Sequence, residues 1–304
     1  MFHYFRSVSK NFRVHLFLFL ANFIYGISFT IAKFVVPEYV KPFGAIVIRV
    51  GVSMILFSFA HFLFVKEKIQ RKDFLLLIAC GLFGVAINQL MFFKGLSLTT
   101  PVHASLVMVT TPILVLVISI IFRDENFTWL KAVGIILGAS GAATIVLVGN
   151  DFSLSGDKAL GDLLIFINAT SYAVYIVIVK PLMKKYKPLT VIKWVFIFGA
   201  LFVFPIAFSD FSNIEWKNFT TNVWLSLSFI VIVTTYIAYL LNIMALRDAP
   251  PSVVGVYIYM QPVVAVLFAL ALGKDSFTVP DGISAALIFG GVYLVSFKAK
   301  EKNA

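Results

Sequence analysis

The chain of 304 residues is 61% hydrophobic and only 13% charged, with a mean hydropathy of +0.98, a composition that excludes a soluble globular domain. Its 25 Lys and Arg against 14 Asp and Glu give a formal charge of +11, but the basic residues collect at the ends of apolar runs, so the surplus orients the chain and does not call for nucleic acid. The single cysteine, Cys80, lies inside one of those runs, which rules out an intrachain disulfide and suits a small packing residue.

A helix needs about 20 apolar residues to cross about 30 Å of hydrocarbon. Ten runs meet that length and are predicted as spans 1 to 10, at about 14–36, 43–65, 74–97, 101–122, 128–148, 161–183, 189–208, 222–246, 252–272 and 279–297. Barrel strands alternate and are about half as long, so the fold class is all-α integral membrane. The longest connections, NDFSLSGDKALGD and SDFSNIEWKNFTTN, are too short for a separate folded domain.

Span 1 follows Arg6, Lys10 and Arg13, superficially like a signal peptide, but its length and its later counterpart mark a retained helix. It carries Asn22, Tyr25 and Ser28 on one face. Span 2 holds Arg49, and span 3 ends in NQLMFFKG with Asn88, Gln89 and Lys94. Span 4 begins near Pro101 and His103 and contains Thr110, Thr111 and Pro112. The short connection FRDENFTW holds Glu125, read as a cap or as the partner of a nearby basic side chain. Span 6 sets Asn168, Ser171, Tyr172 and Tyr175 at i, i+3, i+4 and i+7, one helical face. Span 8 offers Tyr236, Tyr239 and Asn242, and span 9 offers Tyr257, Tyr259, Gln261 and Pro262.

Counting basic residues by side gives the topology. With the N-terminus inside, eighteen Lys and Arg fall on the inner side and four on the outer, and Lys33, Arg49 and Lys94 lie within spans. Both termini are therefore expected in the cytoplasm of a cell with this protein in its inner or plasma membrane.

The chain repeats itself. Sliding by 150 positions lays Gly95-Leu96 on Ala245-Leu246, Pro112 on Pro262, Glu125 on Asp275 and Phe127-Thr128 on Phe277-Thr278. Earlier in each half Tyr25 with Lys33 matches Tyr172 with Lys180 at an offset of 147, and Lys41-Pro42 matches Lys187-Pro188 at 146. Five spans per half is an odd number, so the second copy is upside down: ten transmembrane helices as two inverted five-helix repeats, residues 1–150 and 151–304. Such symmetry belongs to many secondary transporters.

Tyr25-Gly26, KGLSLTTPVHASLVMVTTP, Glu125, Gly134 and Gly141, followed by Tyr172-Ala173, ALRDAPPSVVGVYIYMQP, Asp275 and Gly291, resemble the two repeats of the drug/metabolite transporter superfamily, specifically its EamA-type branch. The resemblance covers nearly the whole chain. It departs from the family where tryptophan is common at Tyr25 and Tyr172 and glutamate at Asp275. It implies an exporter of amino acids or other metabolites and leaves the substrate open; related branches carry sugar phosphates and nucleotide sugars.

Polar side chains in hydrocarbon are costly and belong on a water-filled path or between helices. The candidate substrate contacts are Asn22, Tyr25, Arg49, Asn88, Gln89, Lys94, Thr111, Asn168, Tyr172, Tyr175, Tyr239, Asn242, Tyr257 and Gln261. Tyrosines and amides suit a zwitterionic or aromatic metabolite. Pro112 and Pro262 remove a helical donor each, for a gate or for packing alone. Because no Asp or Glu falls well inside a span, Lys33, Arg49 and Lys94 either snorkel to the surface or, in the case of Arg49 or Lys94, meet a substrate carboxylate. His103 is either a titrating group or an interfacial one. The ladders Gly134, Gly138, Ala142 and Gly282, Ala286, Gly290 are read as scaffold or as the contact of a possible homodimer. No P-loop, HExxH, GxSxG or CxxC occurs, so no catalytic residue, metal or cofactor is expected, and the partners are the bilayer and a small-molecule substrate.

Overall fold

Apolar runs without internal breakers become helices. The computed structural model describes residues 2–99, 104, 107–147, 156–271 and 279–296, and every regular element among them is helical. The first half comprises α1 (Phe2–Val35), α2 (Pro42–Phe64), α3 (Phe74–Gly81) leading through a π-helical segment at Leu82–Ile87 into α4 (Asn88–Leu98), α5 (Thr111–Ile121) and α6 (Trp129–Leu147). The second comprises α7 (Gly156–Ile178), α8 (Lys180–Lys185), α9 (Pro188–Ser212), α10 (Thr221–Ser228) leading through a π-helical segment at Phe229–Ile237 into α11 (Ala238–Asp248), α12 (Pro251–Val256), a 3₁₀ turn at Tyr257–Tyr259, α13 (Met260–Ala271) and α14 (Val279–Ser296).

Among the described residues six helices are long and apolar enough to cross a membrane, and four shorter apolar helices stand at Thr111–Ile121, Trp129–Gly141, Pro251–Val264 and Gly282–Ser296. The shorter ones fall where spans 4, 5, 9 and 10 are expected. The outside of the bundle is apolar: Phe62, Leu75, Trp129 and Val279 are exposed, as a lipid-facing surface requires.

Local sequence explains most boundaries. Pro42 and Pro188 sit in the first turns of α2 and α9, where the missing N–H has no helical partner anyway. α1 starts well before the expected residue 14 because residues 2–13 contain no Gly or Pro to stop it. Pro112 and Pro262, expected well inside spans 4 and 9 where each breaks a turn, do mark breaks, but stand at their edge. The breaks precede them, as a turn at residues 109–110 and the 3₁₀ turn at Tyr257–Tyr259, and each proline stands in the first turn of the helix that resumes. A proline removes the donor for the carbonyl four residues back, here Met108 and Ile258, which are themselves 150 positions apart.

Contacts between the halves are reciprocal. α2 packs on α9 and α6 on α14, while α4 packs on α7 as α11 packs on α1. The α6–α14 contact uses Gly134, where an added Cβ would stand 2.8 Å from the Gly291 carbonyl oxygen and 2.8 Å from Val295 Cγ2, and Gly141 close to the Ser284 carbonyl. The ladder Gly282, Ala286, Gly290 on the partner helix faces away from this seam and is no part of the scaffold: Ala286 is exposed and Gly290 has nothing within 4 Å, because Ser284, Ile288 and Gly291 point inward instead. Gly134→Val is expected to overpack this seam and cost about 2 kcal/mol, read as a lower melting temperature of the detergent-solubilised protein; an unchanged melt would mean that α14 shifts without cost.

His103 and Asp275 lie outside the described residues, as does the side chain of Lys33.

Candidate functional site

The polar residues of α1, α4 and α7 converge because each helix turns its stripe to the same gap. A cavity of about 130 Å³ lies there. Asn22, Tyr25 and Ser28 of α1 line it, with Asn88 and Gln89 from the start of α4, Asn168 and Tyr172 from α7, and Tyr239 from α11. Arg49 enters from α2, and Met108, Ile258 and Gln261 come from the broken helices, so both residues that lose a helical donor to a proline reach the cavity wall.

The π-helical segments position this wall. A π turn misaligns carbonyls that an α-helix would pair internally, and neighbouring side chains take them up. Ser171 Oγ donates to the Phe83 carbonyl at 2.6 Å, and Asn168 Nδ2 donates to the carbonyl of Asn88, just beyond the π segment, at 2.7 Å. In the second half Thr235 Oγ1 donates to the carbonyl of Ile230, five residues back, at 2.8 Å. The segment thus locks α7 against α4 and turns Thr235 toward Arg49.

A chain of hydrogen bonds crosses the site between halves. Gln261 Nε2 donates to Asn22 Oδ1 at 2.8 Å, and Asn22 Nδ2 donates to the Leu18 carbonyl at 2.8 Å. Gln89 Nε2 faces the Tyr239 hydroxyl at 3.4 Å, and these two residues are 150 positions apart, counterparts under the repeat. Tyr25 meets Tyr239 edge to face, with ring centroids 6.3 Å apart.

Arg49 is the charged residue of the wall. It is 8% exposed, its Nε donates to Thr235 Oγ1 at 2.9 Å, and its guanidinium lies 4.9 Å from the centroid of the Phe93 ring. Among the described residues no carboxylate pairs with it.

Other candidates are corrected. Lys94 is exposed near the end of α4 and does not reach the cavity, so its long side chain behaves as a surface cation. Thr111 is fully buried against Met108. Tyr175 packs its ring on Gly84, where only a residue without a side chain leaves room, so it lies in the core beside Tyr172, ring centroids 6.3 Å apart, and not on the cavity wall. Asn242 stands behind the wall and donates to the Tyr172 hydroxyl at 2.7 Å. Tyr257 belongs to a separate recess of about 500 Å³ at the other end of α1, with Asn11, His15 and Asp248; its hydroxyl lies 2.7 Å from His15 Nδ1. Sequence reasoning missed Phe92, Phe93, Leu96 and Thr234 of the wall and Thr235 beside Arg49, since apolar residues in an apolar run carry no signal and these two threonines stand in a long apolar stretch.

Comparison with known proteins agrees with this architecture. The family model described as the EamA-like transporter family matches residues 12–147 and 159–297. The uncharacterized transporter YyaM of Bacillus subtilis (strain 168) is 25% identical over 97% of this chain and 99% of its own. An uncharacterized transporter of Archaeoglobus fulgidus is 28% identical over 95% and 99%, and the protein WALLS ARE THIN 1 of Arabidopsis thaliana is 26% identical over 82% and 73%. A solved crystal structure at 19% identity superposes with a TM-score of 0.77 over 96% of this chain and 99% of that one, a shared fold.

Proposed function

The chain belongs to the EamA-like transporter family of membrane transporters, and from that premise we propose a secondary transporter that exports a small zwitterionic or aromatic metabolite, an amino acid or a similar compound, by alternating access. It crosses the inner or plasma membrane ten times as two inverted halves, with both termini in the cytoplasm. The observation that carries this reading is the cavity in which counterparts from the two halves, Gln89 and Tyr239, face each other at 3.4 Å. Residues related by an inverted repeat meet only near its axis, where a transporter of this type holds its substrate.

The cavity belongs to one of two states. With the N-terminus inside, the lining runs from Asn22 to Ala32 and Leu96, toward the outer ends of α1 and α4. The matching residues of the second half, Val179 and Leu246, are 0% and 1% exposed. The inner end is held shut by Lys180, whose ammonium donates to the carbonyls of Leu246 and Ala249. Nearby, Lys185 pairs with Asp73 at 2.6 Å and Arg13 with Asp248 at 3.4 Å. This is an outward-facing arrangement, and the repeat supplies the opposite one, in which the outer end closes instead.

Counterflow in proteoliposomes tests the reading. Saturable exchange of a labelled amino acid against the same unlabelled compound is expected; a flux that rises linearly with concentration, or none for any small metabolite in folded protein, would sink it.

A further inference from the structure

A guanidinium buried in an apolar bundle needs an anion, because an unpaired charge removed from water is strongly disfavoured. Arg49 spends its Nε on Thr235 and its face on Phe93, and its two terminal nitrogens donate to nothing among the described residues. They form the flat fork that matches a carboxylate with two parallel hydrogen bonds. At the other pole the wall offers acceptors. Asn168 is 3% exposed, and because its Nδ2 donates to the Asn88 carbonyl, its orientation is set and Oδ1 must be the remaining atom. That oxygen is buried without a donor, as is Gln89 Oε1. An ammonium supplies donors and needs none back.

We propose, resting on the transporter reading above, that this cavity seats the free α-amino acid zwitterion, with its carboxylate on Arg49 and its ammonium on the amide oxygens of Gln89 and Asn168. Gln89 lies one helical turn before Phe93, about 6 Å along α4. The amides of Gln89 and Asn168 and the guanidinium over Phe93 line the same cavity. The rings of Tyr25, Tyr172 and Tyr239 then face the side chain, which favours aromatic amino acids. Charge decides against a phosphorylated substrate: a phosphate dianion calls for converging cations, and among the described residues Arg49 is the basic side chain of the wall while Lys94 is exposed elsewhere.

The test uses the purified full chain in detergent, with melting temperature read against L-phenylalanine, its methyl ester, N-acetyl-phenylalanine and phenyl phosphate, followed by competition of the same four against labelled phenylalanine in counterflow. L-Phenylalanine is expected to bind at least about tenfold more tightly than the ester or the N-acetyl compound, since each lacks one pole. Arg49→Gln is expected to erase the preference over the ester and keep that over the N-acetyl compound, with Arg49→Lys in between; the wild-type series stands even if the variants fold poorly. Equal binding of acid and ester, a preference for phenyl phosphate, or no shift with any amino acid overturns the seat. Binding without counterflow would leave the seat and remove the transporter, whereas counterflow of an unrelated metabolite without amino-acid binding would do the reverse.

Discussion

Lys180→Met is expected to open the end of the bundle where α11 terminates, the inner end in the proposed topology. Lys180 is 8% exposed, and its ammonium donates to the carbonyls of Leu246 and Ala249, where α11 ends. The last carbonyls of a helix have no intrahelical donor and carry the negative end of its dipole, so a cation there both satisfies and neutralises them. Hydrogen bonds to a charged group are worth about 1.5 to 3 kcal/mol each, and each 1.4 kcal/mol is about a tenfold change in an equilibrium. Methionine keeps the apolar stem and removes both bonds. In a Cys80→Ala background with Ala249→Cys as reporter, thiol labelling from the cytoplasmic side should therefore rise at least about tenfold. A drop in melting temperature with labelling unchanged would reduce Lys180 to a helix cap with no part in closure.

The second large effect is at Glu125. This carboxylate, with its side chain 3% exposed, accepts from Lys131 Nζ at 2.5 Å, from Ser252 N at 2.8 Å and from Ser252 Oγ at 2.5 Å. Ser252 is in the first turn of α12, so its N–H is one of the donors a helix start leaves open, and an anion there is favoured by the dipole. Glu125→Ala strands a buried N–H, a buried hydroxyl and a half-buried ammonium at once, and should cost about 3 kcal/mol or more. Glu125→Gln keeps an acceptor for Ser252 and should lose roughly half of that. Thermal unfolding of the solubilised protein measures both; an alanine variant that melts with the wild type would show that water replaces the carboxylate freely.

These residues also mark how far the sequence reads. Glu125 is recognisable as a cap or an ion-pair partner from its place in FRDENFTW, and Lys131 is close by in sequence. Ser252 is 127 positions away, and nothing local announces it. Arg49 and Lys94 look alike in a string: each is a cation in an apolar run without a carboxylate. They separate only because α2 turns Arg49 onto Thr235 and Phe93, whereas Lys94 sits one turn from the end of α4 and reaches the surface. Tyr172 and Tyr175 share a helical face by spacing, but Gly84 leaves a slot that takes the second ring out of the cavity.

The prolines show the same division. Pro112 and Pro262 announce interrupted helices by their chemistry alone, since a missing N–H is a property of the residue. The side of the proline on which the helix breaks, and the arrival of Met108 and Ile258 at the cavity wall, depend on what packs around them.

What the sequence determined by itself is therefore an all-helical membrane protein with polar stripes on its first and sixth spans and two related halves. Hydrocarbon demands internally bonded backbone and long apolar runs, and both are local properties that a string displays. The tertiary structure alone decided which stripes meet, which cation stays buried and which carbonyls Lys180 holds. Those outcomes rest on contacts between residues far apart in the chain, such as Gln89 with Tyr239 and Lys180 with Leu246, and in a bundle whose helices all offer similar apolar faces only close packing selects among them.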